Sequence, residues 1–265
     1  MRIIVPIKQV PETNAVRMDE ETGTMIREGV EAIINPLDLY AIELAIRLRE
    51  EHGGEVVAVS MGPPKAITAL REAIAMGCDS AVLISDRAFA GADTWATSYV
   101  LSAAIKRIGG YNLIICGERA TDGDTGQVGP GIASFLDLPV ATYIGKVDTV
   151  AGKSCRVHRL VENGYEVLEA DLPAVLTVVK EIADPRLPTL RGKQKARKMD
   201  IPTWASDDLE VEPDKLGLNG SPTRVVKIHK PTVTRKCEKL VAGDDESVVA
   251  AVDRMVEFLK EKQLL

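Results

Sequence analysis

Over the first two thirds of the chain, short apolar runs alternate with segments whose apolar residues recur at helical spacing. Residues 2–7, 55–61, 81–85 and 113–116 are runs of this kind. They lack strict alternation, which predicts strands buried on both faces. Between them, 37–51 carries Leu39, Ile42, Leu44, Ala45 and Leu48 as a helical stripe. Asn35 is a candidate N-cap there, and Pro36 suits the first helical position. A second helix is predicted over 64–76, closed by Gly77, and a third over 94–108. The third has Asp93 or Thr94 as its cap and Gly109-Gly110 as its end. Residues 132–136 read as a fourth helix. Strand–helix–strand order implies an α/β fold with a doubly wound, mostly parallel sheet.

Beyond Pro139 the pattern changes. Residues 154–161 and 165–170 predict a hairpin around Asn163-Gly164, and 174–179 a buried strand. Residues 186–198 hold six basic residues and no acidic one, interrupted by Pro188 and Gly192. That stretch is either a solvated, flexible loop or a docking segment. Residues 215–231 are rich in Gly, Pro and Ser and read as an extended arm. The chain closes on an amphipathic helix over 244–262, with Val248, Val249, Val252, Met255, Val256 and Leu259 on one side. Its stripe packs on a second chain or back on its own domain.

Composition narrows the classes. The 265 residues are 45% hydrophobic and 27% charged, as in ordinary soluble domains, but only 4% aromatic, so aliphatic side chains must fill the core. A net charge of −6 argues against general nucleic-acid binding. No apolar run approaches a membrane span, and the opening Met1–Pro6 run is too short for a signal peptide. Cys78, Cys116, Cys155 and Cys237 are scattered, which suits a reducing cytoplasm and offers no metal framework. His52, His158 and His229 stand far apart and read as surface residues.

The chemistry concentrates in residues 116–130, between a predicted strand and a predicted helix. Gly123, Gly126 and Gly129 are three residues apart. Such spacing lets amides converge on an anion in front of a helix N-terminus. The stretch lacks a P-loop lysine and the dinucleotide Gly-x-Gly-x-x-Gly fingerprint. It is therefore either a phosphate cradle or an ordinary glycine-rich turn. In a parallel sheet, ligands sit beyond the carboxyl ends of strands. Residues 7–11, 61–64, 87–94 and 117–130 all follow strand ends, and with them come Asp38, Asp93, Asp122 and Asp124. An adenine nucleotide suits that edge. Asp122 and Asp124 are ligands or caps of their own loop's amides. No nucleophile elbow, zinc spacing or Ser/His/Asp set is present, which fits a protein whose bound cofactor carries the chemistry.

Several ordered motifs resemble the beta subunit of electron transfer flavoproteins over essentially the whole chain. They are Ile7-Lys8-Gln9-Val10-Pro11, Asn35-Pro36-Leu37-Asp38, Met61-Gly62-Pro63, Ala75-Met76-Gly77 and the 117–130 loop. A further signature runs over 157–177, with Val157-His158-Arg159, Glu162-Asn163-Gly164, Glu166 and Pro173-Ala174-Val175-Leu176-Thr177. The resemblance implies an adenine nucleotide alpha hydrolase-like fold with a C-terminal arm and helix. It implies a nucleotide-binding domain over 1–185, a recognition loop over 186–200, and an arm and helix over 201–265 that pack on an alpha subunit.

In simpler members the pocket holds AMP; in electron-bifurcating members it holds the ADP part of a second FAD. The loop Asp122-Gly123-Asp124-Thr125-Gly126-Gln127-Val128-Gly129-Pro130 resembles the bifurcating group, as do 91–98 and Val10-Pro11-Glu12-Thr13. Carried over, the nucleotide site comprises Pro6, Lys8, Asn35, Asp38, Met61, Gly62, Asp93, Thr94, Gly117, Arg119, Ala120, Thr121, Asp122, Gly123 and Asp124. Thr125, Gly126, Gln127 and Val128 face the phosphates. Leu190 and Arg191 dock an acyl-CoA dehydrogenase or quinone-linked dehydrogenase, with Arg186 and Lys193 steering an acidic partner. The flanks of Leu190 depart from the mitochondrial pattern. The implied activity takes hydride from NADH and splits electrons between a high-potential acceptor and ferredoxin or flavodoxin. The alternatives are a simple carrier with structural AMP that feeds a quinone reductase, and a stand-alone adenine-nucleotide sensor.

Overall fold

Strand β1 (Arg2–Pro6) lies inside a nine-stranded sheet in a computed structural model that describes residues 1–12, 17–18, 25–26, 32–226 and 237–265. The chain continues through β2 (Gln9–Pro11), β3 (Arg17–Met18), β4 (Met25–Ile26), β5 (Ala32–Ile34), α1 (Asp38–His52) and β6 (Glu55–Met61). Next come α2 (Ile67–Met76), β7 (Ser80–Ile84), α3 (Thr94–Ile108), β8 (Leu113–Gly117) and α4 (Val128–Leu136). The remainder is β9 (Val140–Ala151), β10 (Ser154–Val161), β11 (Gly164–Asp171), β12 (Ala174–Val178), α5 (Leu190–Lys198), β13 (Thr203–Trp204), α6 (Gly217–Gly220) and α7 (Asp245–Glu261).

The sheet order is β11-β10-β9-β12-β8-β1-β6-β7-β13. The pairs β12–β8, β8–β1, β1–β6 and β6–β7 are parallel, so the sheet is doubly wound as the apolar runs imply. Successive residues of each central strand feed opposite cores. Ile3 and Val5 join one apolar cluster, with Ala58, Leu83 and Ile115 under α1 and α2. Ile4 joins the other, with Val57, Val59, Ile84 and Ile114 under α3 and α4. Each fully buried Ile or Leu contributes about 1.5–3 kcal/mol, so these strands are fixed by burial on both sides.

The chain forms two compact units, Met1–Val226 and Lys227–Leu265. Of the predicted arm, residues 215–226 belong to the first unit and 227–231 lie outside the described residues, as do Thr13 and His229. In the second unit, α7 starts at Asp244, which accepts from Ser247 N at 2.9 Å, and none of its residues is buried. No described helix is long and apolar enough to cross a membrane.

Four sequence expectations need correction. Asn35 does not cap α1; the cap position is Leu37, without a side-chain bond. Helix α4 starts at Val128 rather than four residues later, so Gly129 and Pro130 belong to its first turn. Strand β9 was not expected, because its partly exposed, bulged pattern lacks a clean period. The basic stretch is no loose loop, because α5 begins behind a Thr189 cap that accepts from Gly192 N at 2.9 Å. Gly192 is required there, since a Cβ would collide with the carbonyl of Ala75 at the end of α2. Arg71 donates to the carbonyl of Ala196, and Lys195 Nζ to that of Cys78 at 3.1 Å, which fastens α5 to α2.

Candidate nucleotide-binding site

The strand order reverses between β1 and β8, where one crossover leads toward β6 and the other toward β12. The chain segments beyond that point interlock. Asp38 opens α1 in burial and accepts from Lys8 N at 2.7 Å. Desolvation pushes its carboxyl up to about 7, against hydrogen bonds from Lys8 N–H, the Asn35 side chain and Gly117 N–H. Gly117 must lack a side chain, because a Cβ would overlap Asp38 Oδ1 and the Leu37 carbonyl. Asn35 is fully buried and staples the next stretch: Nδ2 donates to Arg119 O at 2.9 Å, and Oδ1 accepts from Thr121 N at 3.1 Å. Both residues act on the site by holding its backbone.

The loop then turns on itself. Ala120 O accepts from Gly123 N at 3.3 Å and from Asp124 N at 2.7 Å. Asp122 and Asp124 do not cap loop amides. Each takes a cation instead: Lys8 Nζ stands 2.7 Å from Asp122, and Arg119 Nε 2.7 Å from Asp124. Asp124 and Gly126 are left-handed, at φ of 53° and 63°. The amides of Thr125, Gly126, Gln127 and Val128 donate to no described residue. They run directly into the N-terminus of α4.

The start of α3 lies alongside. Asp93 caps it through Trp95 N and Ala96 N, both at 3.0 Å. Burial would raise the Asp93 carboxyl, but donors from Ala96, Thr223 and Trp95 outweigh it and hold it low. Its other oxygen accepts from Thr223 N and Oγ1, so this carboxylate is spent on structure. Thr94 Oγ1 donates to Gln127 Oε1 at 2.8 Å, and Gly131 lets α4 approach Ser98 of α3. Pro6, Met61 and Gly62 stand on the same carboxyl edge of the sheet without bonding to the loop: Pro6 pairs with Val59, and Gly62 N donates to Ile84 O at 3.0 Å. Cavities of about 420 Å³ between α2 and α5 and about 370 Å³ beside Tyr99 and Phe135 lie elsewhere and include none of these residues.

A run of unpaired amides leading into the start of α4 is a donor set suited to a phosphate. The family profile described as "Electron transfer flavoprotein domain" matches residues 22–209. This chain belongs to the electron transfer flavoprotein family. Some of its relatives carry the name subunit beta. An electron transfer flavoprotein subunit beta from Thermoanaerobacterium thermosaccharolyticum is 50% identical over 96% of this chain and 98% of its own length. The caffeyl-CoA reductase-Etf complex subunit CarD of Acetobacterium woodii is 46% identical over 100% of both chains. Protein FixA of Azorhizobium caulinodans is 40% identical over 99% of this chain and 95% of its own. Membership in the electron transfer flavoprotein family carries an association with flavin or nucleotide and with an alpha subunit. The donor set fits such a phosphate-bearing cofactor.

The roles of two residues are not legible in the sequence. Thr177, named there only as the end of a motif, is buried, and its Oγ1 accepts from Tyr143 N at 3.1 Å. Tyr143 faces the loop from β9, and no local signal marks it. Leu190 and Arg191 open α5, with Leu190 81% exposed and Leu187 84%. Arg186 is not free to steer a partner, because it bonds Glu43 at 2.8 Å and Glu50 at 2.6 Å.

Proposed function

We propose that this chain is the beta subunit of a heterodimeric, electron-bifurcating flavoprotein, and that its 117–128 loop holds the ADP part of a second FAD at the interface with an alpha subunit. In this reading the complex takes hydride from NADH and divides the electrons between a high-potential acceptor and ferredoxin or flavodoxin. The flavin, when bound, supplies the redox chemistry. The chain's own residues bind and orient. The amides of 125–128 hold pyrophosphate and the start of α4 adds a favourable dipole, while Lys8 and Arg119 neutralise Asp122 and Asp124 of the same loop. Asn35, Asp38 and Gly117 keep the loop in register.

The observation that carries the nucleotide site is the run of four unpaired amides, Thr125 to Val128, that leads into the first turn of α4. The likeness to CarD, 46% identical over its full length, favours a second FAD over AMP. The likeness to a subunit of a caffeyl-CoA reductase-Etf complex supports a CoA-ester-linked dehydrogenase or reductase as the partner, docked through Leu190 and Arg191. Cofactor counting on the purified heterodimer tests the proposal: two FAD per heterodimer are expected. One FAD and one AMP would overturn it in favour of a simple electron carrier.

A further inference from the structure

We infer that Tyr143 is a ligand-binding residue of this site, its phenol hydroxyl donating a hydrogen bond to a phosphate oxygen of the nucleotide held by the 125–128 amides. The inference rests on that assignment of the loop. Strand β9 takes three steps from Ala141 to Ile144 while β12 takes two from Leu176 to Val178, so β9 carries a bulge. Tyr143 sits in it at φ 56°. An aromatic residue is seldom found in that conformation, and bulges beside binding sites redirect side chains.

Three contacts enforce the conformation. Tyr143 N donates to Thr177 Oγ1 at 3.1 Å, and Arg159 Nε donates to Thr142 O at 3.3 Å. The Thr177 methyl packs beneath the first turn of α4, where a Cβ on Gly129 would stand 2.5 Å from it. One threonine therefore sets both the bulge and the helix start. The result brings Tyr143 Oη within 3.9 Å of the point a Cβ on Gly126 would occupy. Tyr143 is 46% exposed, so core burial does not account for a tyrosine held in strained backbone. Its hydroxyl bonds to no described residue and faces the loop whose amides are likewise free.

The test is calorimetric titration of the full-length protein, in its complex and stripped of nucleotide, with AMP and with adenosine. Tyr143→Phe is expected to weaken AMP about tenfold, as for one hydrogen bond to a charged oxygen, and to leave adenosine within about twofold. Tyr143→Asn suits left-handed backbone, so it should keep the thermal midpoint and lose AMP affinity by a similar factor. AMP binding by Tyr143→Phe within twofold of wild type overturns the inference, as does equal loss of AMP and adenosine. Wild-type protein that binds neither probe overturns the loop assignment itself.

Discussion

Asp38 illustrates how a single buried carboxyl can hold the backbone of a loop. Its carboxyl is pushed up to about 7 from an ordinary value of 3.8, chiefly by desolvation. Between those values the folded protein keeps a proton that the unfolded chain releases, so this group's contribution to stability falls as pH rises through the window. Asp38→Asn removes the titration. Urea denaturation of both proteins from pH 4 to 7.5 should show wild type losing ground to the variant by up to about 4 kcal/mol. Parallel profiles would mean that the carboxyl is ionised throughout. Asn35 carries a related lesson. The motif Asn35-Pro36 has the form of a helix start, yet the amide partners Arg119 and Thr121, more than 80 residues away. Sequence spacing shows the residue type that suits a cap, but not a competing partner brought in by the sheet.

Elements were legible where their punctuation is local. Helix α3 runs from Thr94 to Ile108 as read, because Asp93 caps it and Gly109 leaves it in left-handed backbone. Helix α5 was not, because its five cations and a glycine describe solvent, while it is seated on α2 and the stretch before it is fastened to α1 through Arg186. The Glu43 side chain is only 2% exposed and bonds Arg186 and Arg47. Burial would raise its carboxyl, but these arginine donors outweigh that and hold it below 4.5. A depressed carboxyl stabilises above its unfolded value and loses that contribution as pH falls through the folded one. Arg186→Ala should therefore cost about 2 kcal/mol in urea denaturation at pH 7, with Arg47 still in place. The difference should shrink below pH 4.5. Faster amide exchange should appear in α5. An unchanged midpoint at pH 7 would remove Arg186 from the forces that seat this segment.

At the scale of the molecule, the alternation of apolar runs and helical stripes sufficed for the parallel sheet, since burial on both faces leaves little freedom in strand placement. The antiparallel end was only half legible. The hairpin of β10 and β11 follows from Asn163-Gly164, whereas β9 depends on neighbours that correct its bulges. The division at Val226 yields a prediction of its own. Both apolar clusters lie entirely in the first unit, while α7 buries none of its side chains. A chain ending at Val226 should keep its melting temperature within a few degrees. It should also lose association with the alpha subunit in size-exclusion chromatography. A large drop in melting temperature would show that the tail stabilises the first unit.

The bond between Asp93 and Thr223 has a mechanical corollary. The chain leaves the first unit at Val226, three positions beyond a threonine gripped by the same carboxylate that starts α3. That helix reaches Gln127 through its first side chain. Thr223 and Gln127 are thus anchored to one and the same turn of α3, so Thr223→Ala should loosen the start of that helix and, with it, the hold on Gln127.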